Sequence, residues 1–144
     1  MKVSIGCDHG GFELKEKVVA YLQEHGYEVK DCGCNSLDAV DYPVYGKAAA
    51  QAVANGECEK GIVICTTGIG ISISANKVKG VRCALCSDSL SAKMTRLHND
   101  ANVLAMGAGM IGTNLALDIV ETFLTTAFSG EERHQRRVDL IEEA

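Results

Sequence analysis

The sequence predicts an α/β fold, a single open parallel sheet of five strands with helices on both faces. Three observations carry that expectation. Short apolar runs alternate with longer amphipathic ones along all 144 residues, the pattern of strands separated by helices. One of those runs, Gly61-Ile62-Val63-Ile64-Cys65, is almost wholly apolar, as a strand buried on both faces must be. No repeat, low-complexity stretch or linker interrupts the chain and Pro43 is its sole proline, so residues 1–144 read as one domain.

Taken in order, Val3-Ser4-Ile5-Gly6-Cys7 reads as the first strand. From Phe12 onward, Leu14, Val18, Val19 and Leu22 recur at helical spacing, and Gly26 stands where such a helix would stop. Residues 27–32 read as the second strand. A loop carrying Asp41-Tyr42-Pro43 leads into an alanine-rich helix over residues 45–55, stopped by Gly56. The run ending at Cys65 is the third strand. Thr66-Thr67-Gly68-Ile69-Gly70 follows it, and residues 71–77 read as helix. Residues 81–86 form a short fourth strand, then 89–98 a helix and 102–106 the fifth strand. Two helices close the chain, an amphipathic one over 112–127 and a charged one over 131–142.

Composition narrows the function. Apolar residues make up 47% and charged residues 23%, values that suit a globular domain and not a disordered chain. A net charge of −5 argues against wholesale binding of nucleic acid or anionic membranes, while leaving room for a local basic cluster that holds a small anion. The N-terminus meets Asp8 and His9 too soon for a secretory signal, and no stretch approaches the roughly 20 apolar residues of a membrane helix. A cytoplasmic location is the expectation. Seven cysteines would there be free thiols, most of them small buried hydrophobes.

In an open parallel sheet, ligands bind at the carboxyl ends of the strands. That rule singles out residues 7–11, 65–70 and 106–109. The second of these is the most informative. A strand delivers Cys65 to its end, and a glycine-containing turn then opens a helix, whose free N–H groups and dipole favour negative charge. Such a turn favours a thiolate and stabilises an oxyanion or enediolate, so one element would supply a base and an anion hole. A buried cysteine before a tight turn is the plainer alternative. Asp8 and His9 end the first strand, where Asp8 could act on a ligand or cap a helix. His98 could pass a proton near neutral pH or simply face a helix C-terminus. Arg133 and Arg137, four apart on one helix face, could fork around a phosphate or pair with Glu131, Glu132 and Asp139.

Three patterns are weaker. Cys83 and Cys86 have zinc-ligand spacing but lie on an expected strand with no second ligand pair, and Cys32 and Cys34 are too sparse. Gly68 and Gly70 suggest a dinucleotide turn, yet Ile73 occupies the third glycine position and the turn follows the third strand.

Together these segments resemble the ribose-5-phosphate isomerase B and galactose-6-phosphate isomerase family. The matching stretches are Gly6-Cys7-Asp8-His9-Gly10-Gly11-Phe12, Asp41-Tyr42-Pro43, residues 65–77, His98-Asn99-Asp100-Ala101-Asn102-Val103-Leu104 and Arg133-His134-Gln135-Arg136-Arg137. The resemblance implies a Rossmann-like three-layer αβα sandwich with a five-stranded parallel sheet and a C-terminal helix. It implies a homodimer or tetramer whose active site is shared between subunits, with no cofactor and no metal. The implied reaction interconverts ribose 5-phosphate and ribulose 5-phosphate through a cis-enediolate. By the same resemblance, His98 opens the furanose ring with Asp8 nearby, Cys65 moves the proton between carbons, and Thr67 handles the proton between oxygens. The N–H groups of Gly68, Ile69 and Gly70 would hold the enediolate beside Thr66. His9, Arg133 and Arg137 would hold phosphate, and Tyr42 and Asn99 would touch the sugar. His98 is expected to come from the partner chain.

One position departs from the family pattern. After Ala108 many members carry an arginine that contacts phosphate, and here Gly109 stands. A lost charge-assisted pair weakens binding by roughly 1.5–3 kcal/mol, which leaves room for six-carbon or unphosphorylated sugars. The rival readings are therefore a hexose-phosphate or free-sugar isomerase and, from another class, a flavodoxin-like nucleotide-binding module. The latter lacks a G-x-G-x-x-G pattern or a lysine in the first loop.

Overall fold

Five strands assemble where the apolar runs predict them. In the computed structural model, which describes residues 1–144, they are β1 (Lys2–Cys7), β2 (Glu28–Asp31), β3 (Lys60–Cys65), β4 (Cys83–Leu85) and β5 (Val103–Gly107). All pair in parallel, in the order β2-β1-β3-β5-β4. Parallel neighbours need crossovers, and four helices provide them: α1 (Phe12–Glu24), α2 (Tyr42–Ala54), α3 (Ile69–Asn76) and α4 (Ser89–Asn99); α5 (Thr113–Thr125) and α6 (Glu132–Glu142) follow the last strand.

Strand residues alternate between two cores. Val3, Ile5, Ile62, Ile64, Leu104 and Met106 pack with Leu14, Val18 and Leu22 of α1, Ala92 of α4, and Ile119 and Phe123 of α5. On the other face Val63, Cys65, Val103 and Ala105 pack with Ala49 and Ala50 of α2 and Ile71 and Ala75 of α3. The sheet is thus the middle of three layers, as the αβα expectation has it. Burial of each large apolar side chain stabilises by roughly 1.5–3 kcal/mol. Alanines on α2 let that helix approach closely, so Ser4 Oγ donates to the Ala49 carbonyl at 2.8 Å.

Lys15 is the exception in the core, with no exposed surface. Its ammonium donates to Asp31 Oδ2 at 2.9 Å, Asp31 Oδ1 at 3.2 Å and the Cys34 carbonyl at 2.8 Å. Burial pulls its pKa down, but the hydrogen bond and charge of Asp31 outweigh that and hold it above the ordinary lysine value. The pair ties α1 to the end of β2.

Most boundaries shift by one or two residues, and two elements, α2 and β4, differ more. α2 begins at Tyr42, three residues before the expected start, with Pro43 in its first turn; there a missing N–H costs no helical bond. β4 has three residues instead of six, because it is an edge strand paired only with β5. Arg82, just before it, donates its N–H to the Asn102 side chain at 2.8 Å, while its carbonyl accepts the N–H groups of Asn102 at 3.0 Å and Val103 at 3.3 Å. No helix is long and apolar enough to cross a membrane.

Candidate active site

From β1 the chain steps outward to β2, then crosses to β3 on the other side of β1. The strand order reverses there, and at such a switch point the crossovers part and leave a crevice. Cys7 of β1 lies in register with Ile64 of β3, so Asp8 and Cys65 stand at the crevice rim. A pocket of about 420 Å³ opens between them, lined by Asp8, Tyr42, Cys65, Thr66, Thr67, Ile69 and Gly70. Every one of these was expected at the site.

The loop after Cys65 is shaped by backbone constraint. Gly68 caps α3 with φ of 77°, and a Cβ there would meet Leu85 Cδ1 at 2.6 Å and Met106 C at 2.7 Å. Strain and space both demand glycine. The turn aims the Gly68 N–H at Cys65 Sγ, 3.1 Å away, which orients the sulfur of a residue only 4% exposed. Thr67 Oγ1 accepts the Ile69 N–H at 3.2 Å, leaving its own O–H to donate elsewhere. The N–H groups of Gly70 and Ile71 donate to no backbone acceptor, as befits the first turn of a helix. From the β5 side, Ala108 N–H donates to the Cys65 carbonyl at 2.9 Å and Gly109 N–H to that of Thr66 at 2.8 Å. Gly109 thus clamps the loop through its backbone and presents no cation to the pocket.

Opposite the loop, the Tyr42 ring lies directly on Gly70, where an added Cβ would come within 2.5–2.7 Å of ring atoms and the hydroxyl. Asp8 meets its capping reading and stands where a ligand could reach it. It lines the pocket and caps the 3-10 turn His9–Gly11, accepting the Gly11 N–H at 3.1 Å. His9 Nδ1 accepts the Val40 N–H at 3.1 Å, so the neutral ring carries its proton on Nε2 and can present it outward.

The remaining expected residues lie elsewhere. α4 leaves the carboxyl end of β4 and runs about 16 Å to the amino end of β5. His98 and Asn99, at its far end, therefore stand across the sheet from Cys65 of their own chain. Asn99 Oδ1 accepts from Thr95 Oγ1 at 3.0 Å. Arg133 and Arg137 are exposed on α6, which packs on α4, and Arg133 pairs with Glu131 at 3.0 Å. None of the four lines the Cys65 pocket. A larger cavity of about 860 Å³ lies beneath the C-terminal residues and holds Asn99 alone of the expected set.

Two contributors were not foreseen in their roles. The Val40 N–H that holds His9 is a backbone donor, which leaves no mark in the sequence. His134 stacks on His98 with ring centroids 4.3 Å apart; its place in the basic cluster was visible, but its partner was not. Burial, then the nearby His98 and Arg133, pushes the His134 pKa below the ordinary imidazole value.

Comparison with known proteins bears on the fold and the family. A family model described as Ribose/Galactose Isomerase matches residues 3–141. Ribose-5-phosphate isomerase B of Escherichia coli is 50% identical over 140 residues, covering 97% of this chain and 93% of its own. The structure of Clostridium thermocellum ribose-5-phosphate isomerase B superposes with a TM-score of 0.97 at 53% identity, covering 99% of this chain and 96% of that one. That of Thermotoga maritima gives 0.96 at 47% identity, covering 99% and 98%.

Proposed function

The chain belongs to the ribose/galactose isomerase family, and from that premise we propose that it interconverts ribose 5-phosphate and ribulose 5-phosphate through a cis-enediolate. The observation that carries this reading is the pocket at the β1–β3 crevice, where a buried cysteine faces a helix-opening loop with free N–H groups.

Ring opening comes first. Asp8 takes the proton from the anomeric hydroxyl as the bond from C1 to the ring oxygen breaks, and His98 protonates that oxygen. Cys65, as thiolate, then removes the C2 proton of the open aldose. The electrons pass to O1, and the loop N–H groups of Gly68, Ile69 and Gly70 stabilise the enediolate, that of Gly70 being free while those of Gly68 and Ile69 turn to it from Cys65 Sγ and Thr67 Oγ1. Thr67 passes a proton from O2 to O1, and Cys65 returns its own proton to C1, giving the ketose. His9 Nε2–H, Arg133 and Arg137 hold the phosphate, while Tyr42 and Asn99 flank the sugar. Gly109 supplies no guanidinium, which favours some tolerance for six-carbon phosphates.

The site draws on two subunits in this reading, the partner supplying His98, Asn99, Arg133 and Arg137 to the pocket around Cys65. Support comes from the separation of these two groups of residues within one chain. It comes also from the exposed apolar side chains Ile69 and Ile73 of α3, Leu85 of β4, Leu90 and Met94 of α4, and Met110, a surface suited to a second copy of the chain.

The test is isomerisation of ribose 5-phosphate by the purified wild type and by Cys65→Ala, with a chelator present. Wild-type turnover lowered at least about a thousandfold by the substitution is expected, since the base that moves the carbon-bound proton is removed. An inactive wild type overturns the substrate, and an active Cys65→Ala overturns the mechanism.

A further inference from the structure

Outside the pocket, one pair of titratable rings stands in direct contact. His98 is half-buried near the end of α4, and His134 of α6 is 7% exposed. Their rings stack with centroids 4.3 Å apart and planes 18° from parallel. The two helices are fastened at this point, for Ser129 N–H, just before α6, donates to the Leu97 carbonyl at 3.3 Å. Taking His98 as the ring-opening residue, the reading on which this inference rests, we propose that His134 is its positioning residue. The stacked ring holds the His98 imidazole in one orientation, so that its N–H is presented to the ring oxygen of the sugar.

An imidazole near an exposed helix end turns freely about its last side-chain torsion. A flat ring stacked against it removes that freedom, and a general acid must present its proton within hydrogen-bond reach. Charge is governed by the same contact. Two imidazolium ions this close repel strongly, so a proton on one ring opposes a proton on the other. The charged and titratable groups facing His134 are His98 from α4, Arg133 and Arg137 from α6 and Glu131 at its start. Only Glu131 favours a proton on His134, and its Oε2 lies 3.7 Å from Nε2 while engaging Arg133 at 3.0 Å. Burial and both guanidiniums oppose it. His134 therefore resists protonation beside His98.

The experiment compares two substrates in the full-length protein. Ribose 5-phosphate must be opened, whereas erythrose 4-phosphate has its C4 oxygen esterified and cannot close a furanose. His134→Ala is expected to lower kcat/KM for the first about tenfold or more and for the second less than about twofold, because only ring opening needs the held imidazole. His134→Phe, which keeps the flat partner, should recover the first to within about threefold. By NMR, the His98 Cε1–H should titrate in two steps in the wild type and in one in His134→Phe. Equal loss on both substrates, no loss on either, no recovery with phenylalanine, or a single step in the wild type each overturns the proposal. His98→Asn separates the two layers. If that variant opens ribose 5-phosphate normally, the reading beneath fails and this inference with it. If it does not while His134→Ala does, this inference alone fails.

Discussion

At the scale of single residues, the pocket depends on atoms that are missing as much as on those present. Gly70 lets the Tyr42 ring lie against the first turn of α3, closing the pocket opposite Cys65. Alanine there suits a helix better by roughly 0.5–1 kcal/mol, so the fold itself should tolerate it. Its methyl group must push the Tyr42 ring out of place, and misplacement of about 1 Å can cost up to about a hundredfold. Gly70→Ala is therefore expected to lower kcat/KM for ribose 5-phosphate at least about tenfold, with Tm within a few degrees of the wild type. Wild-type kinetics would show that Tyr42 is no wall of the site. Much at this scale was legible in the sequence. Cys65, Thr67 and Gly68 declare themselves because a thiol before a glycine turn has a chemical meaning in any fold with strand ends at its crevice. His134 did not, because a stack across two helices depends on how they pack, and from the sequence its segment looked like a solvated basic face. The Val40 N–H was invisible for a simpler reason, since every residue but proline carries one.

At the scale of elements, apolar period and helix stops sufficed to find all five strands and six helices. What they missed were boundaries set by neighbours, namely the early start of α2 and the short edge strand β4. The strands also carry a pH liability. Burial, then Cys34, pushes the Cys7 thiol at the end of β1 up to about 12. Burial, then Cys86, does the same for Cys83 of β4, to about 12. Burial, then Asp88, raises Cys86 to about 11. In the unfolded chain these thiols ionise near 9.0, so above that pH the unfolded state has released protons that the folded state keeps. Stability is then whole below pH 9 and falls as pH rises, by up to about 4 kcal/mol per pH unit for three thiols. Urea midpoints measured at pH 8, 9 and 10 should decline accordingly, and Cys86→Ala should remove about a third of the slope. Lys15, held above its ordinary value, keeps its contribution until still higher pH. A midpoint flat to pH 10.5 would mean that the strand ends open to solvent before the chain unfolds.

At the scale of the whole molecule, the sequence offers candidate side chains for the site but not which of them meet. Motif order along the chain contains both His98 and Cys65, while the crossover rule sends α4 from the carboxyl end of β4 back to the amino end of β5. A connection that must return to the amino end of the next strand necessarily carries its last residues away from the crevice. A second copy that brings its own His98 and α6 to this pocket would do so reciprocally, because a two-fold contact repeats each pairing. The consequence is testable with two inactive proteins. Cys65→Ala lacks the base in every site, and His98→Asn lacks the ring-opening acid in every site. Mixed and allowed to exchange subunits, they form hybrids in which one site carries both defects and the other carries neither. With equal amounts and random pairing, half of the dimers are hybrids and each has one intact site, so activity on ribose 5-phosphate should return to about a quarter of the wild-type value. If each chain completed its own site, no mixture could exceed its inactive parents, however long the exchange. Recovery therefore distinguishes a shared site from a self-contained one by the topology of the sheet alone, without reference to the affinity of the dimer.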